Sequence, residues 1–242
     1  MDIGKSFDRY VMQARVVPVL LVVFPLASLV VIWLPEESVG WRLLGGLVSL
    51  VLLSLVAQVG RDGGKRQQEA LFRKWNGKPS IRKLRHRDSN LPWITMERLR
   101  SSLASAVGIP CPTKAEEEAD PVMADEVYAA YVDHLREATR ADKILLSENI
   151  GYGFRRNLWG MKSAGLAFAL IGLVGAGIGA ALTWGTAQMV VPASVVFINA
   201  ALAVFWVFRV HDGWVRESAE AYADRLIHAY LGRQCKEPSA AA

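Results

Sequence analysis

The sequence predicts an all-α fold: a polytopic membrane protein with four transmembrane helices in two hairpins and a helical cytoplasmic domain. Three observations carry that prediction. Val16–Leu34, Leu43–Val59, Ala164–Thr183 and Val190–Phe208 are runs of 17 to 20 residues without a charged side chain, each about the length a helix needs to cross ~30 Å of hydrocarbon. The runs fall into two close pairs near the two ends of the chain. Between the pairs lies a charged stretch whose apolar residues recur every three or four positions, with no alternating strand pattern to compete. Buried helices of soluble proteins can be apolar all round, but four such runs in 242 residues favour the bilayer. The resulting division is an amino-terminal cytoplasmic segment (1–15), a first hairpin (16–59), a helical cytoplasmic domain (60–162), a second hairpin (163–209) and an amphipathic carboxyl-terminal helix with its tail (210–242).

The first span is read as retained. It is longer than a signal-peptide core, holds Pro18 and Pro25, and ends in Trp33-Leu34-Pro35 with no small-residue cleavage site. Orientation follows from Lys and Arg. The linkers Pro35–Gly40 and Trp184–Met189 carry no basic residue, whereas Lys5, Arg9 and Arg15, then Arg61, Lys65 and Arg66, then Arg155, Arg156 and Lys162, then Arg209 and Arg216 flank the opposite ends of the four spans. Both termini and the middle domain are therefore expected in the cytoplasm. The net charge of +5 suits an anionic inner leaflet and does not require nucleic acid.

Within the second span, Ser49, Ser54 and Gln58 could line a path, although hydroxyls also satisfy their own helix backbone. The third span has a narrow face made by Gly172, Gly175, Ala176, Gly179 and Ala180, which invites close approach by the fourth span or a neighbouring subunit. Asn199 lies in the middle of the fourth span. An amide at that depth must find a partner, so it faces another helix as glue or lines a path for ions.

The middle domain reads as consecutive helices. A segment from Lys65 to Asn76 stops at Gly77, and Ser80 is placed to cap a short helix through Arg87. Thr95 precedes Met96, Leu99, Leu103 and Val107 at helical spacing, ending at Gly108-Ile109-Pro110. Asp120-Pro121 pairs an N-cap with proline at the first helical position, opening a helix expected to reach Ser147. Charge is segregated. Arg73, Lys74, Lys78, Arg82, Lys83, Arg85 and Arg87 make one half basic, while Glu116, Glu117, Glu118, Asp120, Asp125, Glu126, Asp133 and Glu137 make the next acidic. Three readings of the basic run stay open: attraction to anionic lipid, a site for the phosphates of a nucleotide or nucleic acid with Trp75 and Trp93 for base stacking, or a solvated or acid-paired face.

Ser147–Lys162 is the densest polar and aromatic stretch beside a span, with Tyr152, Arg155, Arg156 and Asn157 as candidates for coupling the domain to the membrane. Gly151-Tyr152-Gly153 matches a potassium-filter triplet but lacks a re-entrant pore segment, so Gly151 and Gly153 are read as a hinge. From Trp214 to Leu231, Val215, Tyr222, Leu226 and Tyr230 form the apolar stripe of one more helix.

Chemistry-bearing motifs are scarce. Cys111 and Cys235 are far apart and give neither a disulfide framework nor a metal spacing, and His86, His134, His211 and His228 form no HExxH-type pair. There is no Walker A loop, GxSxG elbow or kinase set, and the spans hold no carboxylate or histidine. No catalytic residue, metal or cofactor is therefore expected.

Two hairpins around a helical domain with a basic face, with KPSIRKLRHRD and ENIGYGFRRN as candidate signature segments, give a layout similar to small bacterial membrane effectors of anti-phage defence, including the Hailong type. That resemblance implies a homo-oligomeric channel in the bacterial inner membrane, opened or closed by a nucleotide or nucleic-acid ligand at its cytoplasmic face. Two hairpins cannot enclose a path alone, so conduction requires several subunits. The alternative is a non-conducting membrane scaffold that recruits partners.

Overall fold

The computed structural model describes residues 10–33, 67–89 and 91–234, and among them there is no strand. In chain order the helices are α1 (Val17–Trp33), α2 (67–74), α3 (Pro79–Arg82), α4 (Trp93–Val107), α5 (Lys114–Ala119), α6 (Pro121–Ala138), α7 (Lys143–Gly160), α8 (Lys162–Leu182), α9 (Val190–Val204) and α10 (Asp212–Gln234). The predicted second span Leu43–Val59, with Ser49, Ser54 and Gln58, lies outside the described residues, as do the Pro35–Gly40 linker, Lys5, Arg9, Arg61, Lys65, Arg66 and Cys235. Three helical stretches among the described residues are long and apolar enough to cross a membrane: Met12–Trp33, Lys162–Leu182 and Ala187–Arg209. The chain divides into two compact units, residues 69–152 with 216–242 and residues 2–68 with 153–215.

The first unit is a helical domain. Met96, Leu99 and Leu103 of α4, Tyr128, Tyr131, Val132 and Leu135 of α6, Leu145 of α7 and Leu226, Ile227 and Tyr230 of α10 form its buried core together with Leu84 and Ala124. Local sequence sets the helix ends. Gly108 closes α4 in the left-handed conformation, with its N–H bonded to the Ala104 carbonyl. The Thr113 hydroxyl and the Glu116 carboxylate exchange bonds with each other's backbone N–H at the start of α5, a capping box. Asp120 accepts from the N–H groups of Val122 and Met123, and Pro121 occupies the first turn of α6.

Three boundaries differ from the sequence reading. α4 begins at Trp93 behind Pro92, so Thr95 is inside the helix and caps nothing. The Ser80 helix is the single turn α3, with proline at its start and no side-chain cap. α6 stops at Ala138, where the Thr139 hydroxyl bonds back to the Leu135 carbonyl at 2.6 Å. α7 begins anew after Asp142, which accepts from the Leu145 N–H at 2.7 Å, so the apolar stripe expected to run on to Ser147 is shared by two helices.

The second unit is a bundle of α1, α8 and α9, in which α8 packs against both of the others. Gly165, Ala169, Gly172, Ala176 and Gly179 are the buried residues of α8, alternating four and three residues apart on one face. With no bulky side chain there, backbones approach closely. A Cβ at Gly165 would lie 2.3 Å from the Trp206 ring, one at Gly172 would lie 2.6 Å from Asn199 Oδ1, and one at Gly179 would lie 2.8 Å from Ile32. Gly175 meets Leu29 of α1, so the narrow face serves α1 as well as the fourth span.

Proline explains a further detail. Pro18 has no N–H to give the carbonyl four residues earlier, Ala14, and the segment Met12–Val16 is wound as a π-helix. Asn157 Nδ2 donates to that carbonyl at 2.7 Å. The expected Gly151 and Gly153 hinge is absent: α7 runs unbroken through both glycines. Gly153 instead gives room to Ala14 and Tyr10, which lie 3.1 and 3.2 Å from where its Cβ would be.

Candidate functional site

The basic segment is folded against acids. Arg85, almost fully buried, holds Asp125 through two bonds of 2.7 and 2.5 Å, Asp88 at 3.1 Å and the Asn76 carbonyl at 2.7 Å. Its guanidinium lies where a Cβ on residue 77 would sit, so position 77 is glycine, with φ of +117°. Two carboxylates raise the Arg85 pKa still further, against the opposing pull of burial. Arg82 and Lys83 both reach Glu220 of α10, at 3.1 and 3.2 Å, and Lys83 also reaches Asp224 at 2.7 Å. Arg87 sits 3.9 Å from Asp88 and 3.8 Å from Glu117. Of the three readings of the basic run, the acid-paired face describes Arg82, Lys83, Arg85 and Arg87.

Glu117 anchors the same network from α5. It is nearly inaccessible and accepts from the His86 N–H and the Tyr128 hydroxyl, both at 2.8 Å. Burial pushes its carboxyl up, but these bonds and the Arg87 N–H outweigh burial and hold its pKa below the usual range. Tyr128 moves the other way: burial and the adjacent carboxylate keep its phenol protonated, and so a donor. Arg100 completes the lock, donating to the carbonyls of Leu84 and Arg85 at 2.9 and 2.8 Å. Sequence reasoning missed Arg100 and Glu117 as a pair of anchors. Arg100 directly follows the buried Leu99 of α4, the one signal that marked it.

Three other predicted cations remain more accessible. Arg73 and Lys74 are exposed on α2, with Glu69 4.0 Å from Arg73. Lys78 is half-buried, and burial followed by repulsion from Arg136 lowers its pKa. Arg73 borders an open cleft of about 570 Å³ lined by Glu69, Phe72, Asn76, Gly77, Arg85 and Asp125. It offers an aromatic face, an exposed guanidinium and a buried one at one place. Of the two tryptophans proposed for stacking, Trp75 is buried and so belongs to the core, whereas Trp93 is 75% exposed.

In the bundle, Asn199 is fully buried. Its Nδ2 donates to the Val195 carbonyl at 2.9 Å and, at 3.4 Å, to Ser28 Oγ of α1, which in turn donates to the Pro25 carbonyl at 2.7 Å. The amide thus meets α1 and the glycine face of α8 within one chain. The predicted coupling residues also bond locally. Arg155 donates to the Trp214 carbonyl at 3.0 Å and Arg156 to Gln68 at 3.0 Å, while Asn157 holds Ala14 as described. Tyr152 lies half-buried on α7. The histidines pack locally: His86 contacts the Pro112 carbonyl, His134 the Tyr230 ring, His211 the Trp214 N–H and His228 the Asp224 carbonyl.

Comparison of the chain with protein-family models, with curated proteins and with solved structures finds no match.

Proposed function

We propose that this protein is an oligomeric channel-like effector of the bacterial inner membrane, with both termini and its helical domain in the cytoplasm, two transmembrane hairpins, and a nucleotide or nucleic-acid ligand that controls it in anti-phage defence. The observation that carries the control step is helical continuity. α7 and α10 each hold residues of both units without a break, so a ligand that biases the domain between two states acts on helices that both units share. The cleft at Phe72, Arg73 and Arg85 is the ligand site in this reading. The Phe72 ring offers stacking, the Arg73 guanidinium a phosphate contact, and Asp125 and Asp88 form the acid clamp with which an incoming phosphate competes for Arg85.

Purified full-length protein reconstituted in planar bilayers tests the proposal. Conductance that changes on addition of nucleotides or short oligonucleotides, and whose ligand response is lost in Arg73→Gln, supports it. Intact oligomers that conduct under no ligand or voltage overturn it. A non-conducting scaffold is the second reading, and one observation favours it: Asn199, the polar group best placed to line a path, is turned inward onto Ser28.

A further inference from the structure

At one end of the bundle, cations collect around an indole. Arg155 and Arg209 both lie over the Trp214 ring, 5.1 and 5.2 Å from its centroid, while Phe154 and Phe205 meet the same ring edge-on. Lys162, the first residue of α8, reaches the Val210 carbonyl at 2.7 Å and the Val207 carbonyl at 3.3 Å, beside Arg209 at the end of the stretch Ala187–Arg209. Lys162 and Arg209 have no carboxylate of the described residues within ion-pair distance, in contrast to the helical domain, where Arg82, Lys83, Arg85 and Arg87 all do. The Trp214 indole N–H is buried with no acceptor.

Like charges held side by side repel, and an anion that joins Lys162 and Arg209 relieves that repulsion. Here they gather where two helices long and apolar enough to cross a membrane begin and end. A tryptophan, an unused N–H donor and guanidinium groups at that level suit a phosphodiester whose chains continue along the apolar helix faces. Such faces are present: Val174, Leu182, Phe197 and Phe208 are among the most exposed apolar side chains of the bundle.

We propose that Arg209, Lys162, Arg155 and Trp214 form a binding site for the headgroup phosphate of an acidic phospholipid. The inference rests on the membrane reading of α8 and α9. The phosphate accepts from Arg209 and from the Trp214 N–H, and Lys162 and Arg155 add positive field while staying tied to their backbone carbonyls. Of the four, Arg209 is the group to change, because it is exposed and its contact in the fold is its stacking on Trp214.

The test uses full-length protein in detergent, with phosphatidylglycerol or phosphatidylcholine of the same acyl chains added and bound lipid counted by native mass spectrometry. Phosphatidylglycerol is expected to be retained in preference, and Arg209→Gln to lower its retention about fivefold, the equivalent of about 1 kcal/mol per cation near an anionic surface. Arg209→Lys, which keeps the charge, restores most of it and shows that loss in the glutamine variant is not misfolding. Equal retention of the two lipids, or unchanged retention in Arg209→Gln, overturns the site. Displacement of the lipid by millimolar inorganic phosphate also overturns it, in favour of a free-phosphate site. Flotation with phosphatidylglycerol vesicles separates the two levels: a chain that does not float overturns the membrane reading and the lipid site together, whereas one that floats without lipid preference overturns the lipid site alone.

Discussion

In the helical domain the buried charges of Lys83, Arg85 and Glu117 are met by opposite charge, and one guanidinium, that of Arg85, is clamped by two carboxylates and a carbonyl. In the helix bundle the buried polar contacts are few, the Asn199 amide on Ser28, the Ser28 hydroxyl on the Pro25 carbonyl and the Asn157 amide on the Ala14 carbonyl that Pro18 leaves open, and packing is governed by glycine. On the membrane reading of α1, α8 and α9, the contrast follows from what surrounds each unit. A domain with charged outer faces can recruit long ionic side chains from distant parts of the sequence, as when α10 supplies Glu220 and Asp224 to Arg82 and Lys83. Helices whose outer faces are apolar gain nothing from hydrophobic contact with one another in lipid, so close backbone approach and a few hydrogen bonds decide their packing.

If that division is right, the two units fail by different substitutions. Arg85→Met keeps the volume of the side chain and removes its charge, leaving Asp125 and Asp88 facing each other without their cation. Because both acids keep some access to water, the cost is placed at the low end for a broken buried pair, about 3 kcal/mol. Chemical denaturation of the full chain, with hydrogen exchange read separately in α4 and α6 and in α8, should show the loss in the domain helices with α8 unchanged. Equal loss in both would break the comparison.

Gly165→Ala is the matching insult to the bundle. The added methyl would overlap the Trp206 ring, which is fully buried and cannot swing into solvent. The overpacking cost is about 2 kcal/mol, read as a lower denaturation midpoint in detergent for α8 and α9, with the domain's exchange untouched. Asn199→Leu follows at about 0.6 kcal/mol, the average for a hydrogen bond between helices in lipid. A double-mutant cycle with Ser28→Ala isolates the pair, and a coupling of zero would mean that the 3.4 Å contact contributes nothing beyond shape.

Much of this architecture was legible from residue order. Asp120-Pro121 and Gly108 mark helix ends by their own chemistry, and the third and fourth spans fall within one to three residues of the helices observed. The misreadings share a cause. Gly151 and Gly153 look like a hinge because glycine loosens an isolated helix, yet Gly153 is explained by Tyr10 and Ala14, about 140 positions earlier, which no local pattern reveals. The fate of the basic run was hidden for the same reason. Asp125 and Glu117 lie in the acidic half that the sequence offered as a partner, but the acids that take Arg82 and Lys83 come from the far end of the chain. Of the candidate site, Arg73 was visible as a cation, whereas the cleft beside it exists only because Asn76 and Gly77, both at positive φ, turn the chain back toward Arg85.

The smallest effect is the most selective. Folding lowers the pKa of Glu117 from its ordinary value of 4.5, so the stability it contributes is complete above that value and fades as pH falls through the folded one. Asp142, held low despite burial by the Leu145 N–H and by Arg225, behaves in the same sense. The bundle helices α8 and α9 contain no acidic residue. Acid titration should therefore loosen the domain before the bundle, seen as exchange that rises in α5 and α6 below about pH 4 while α8 stays protected. Glu117→Gln should flatten part of that acid dependence and lower stability at neutral pH, because the amide replaces an ionic acceptor of the His86 N–H and the Tyr128 hydroxyl with a weaker neutral one. If the acid limb is unchanged in the variant, the bonds to Glu117 do not set it, and the other depressed carboxylates, Asp142 and Glu116, become the groups to replace.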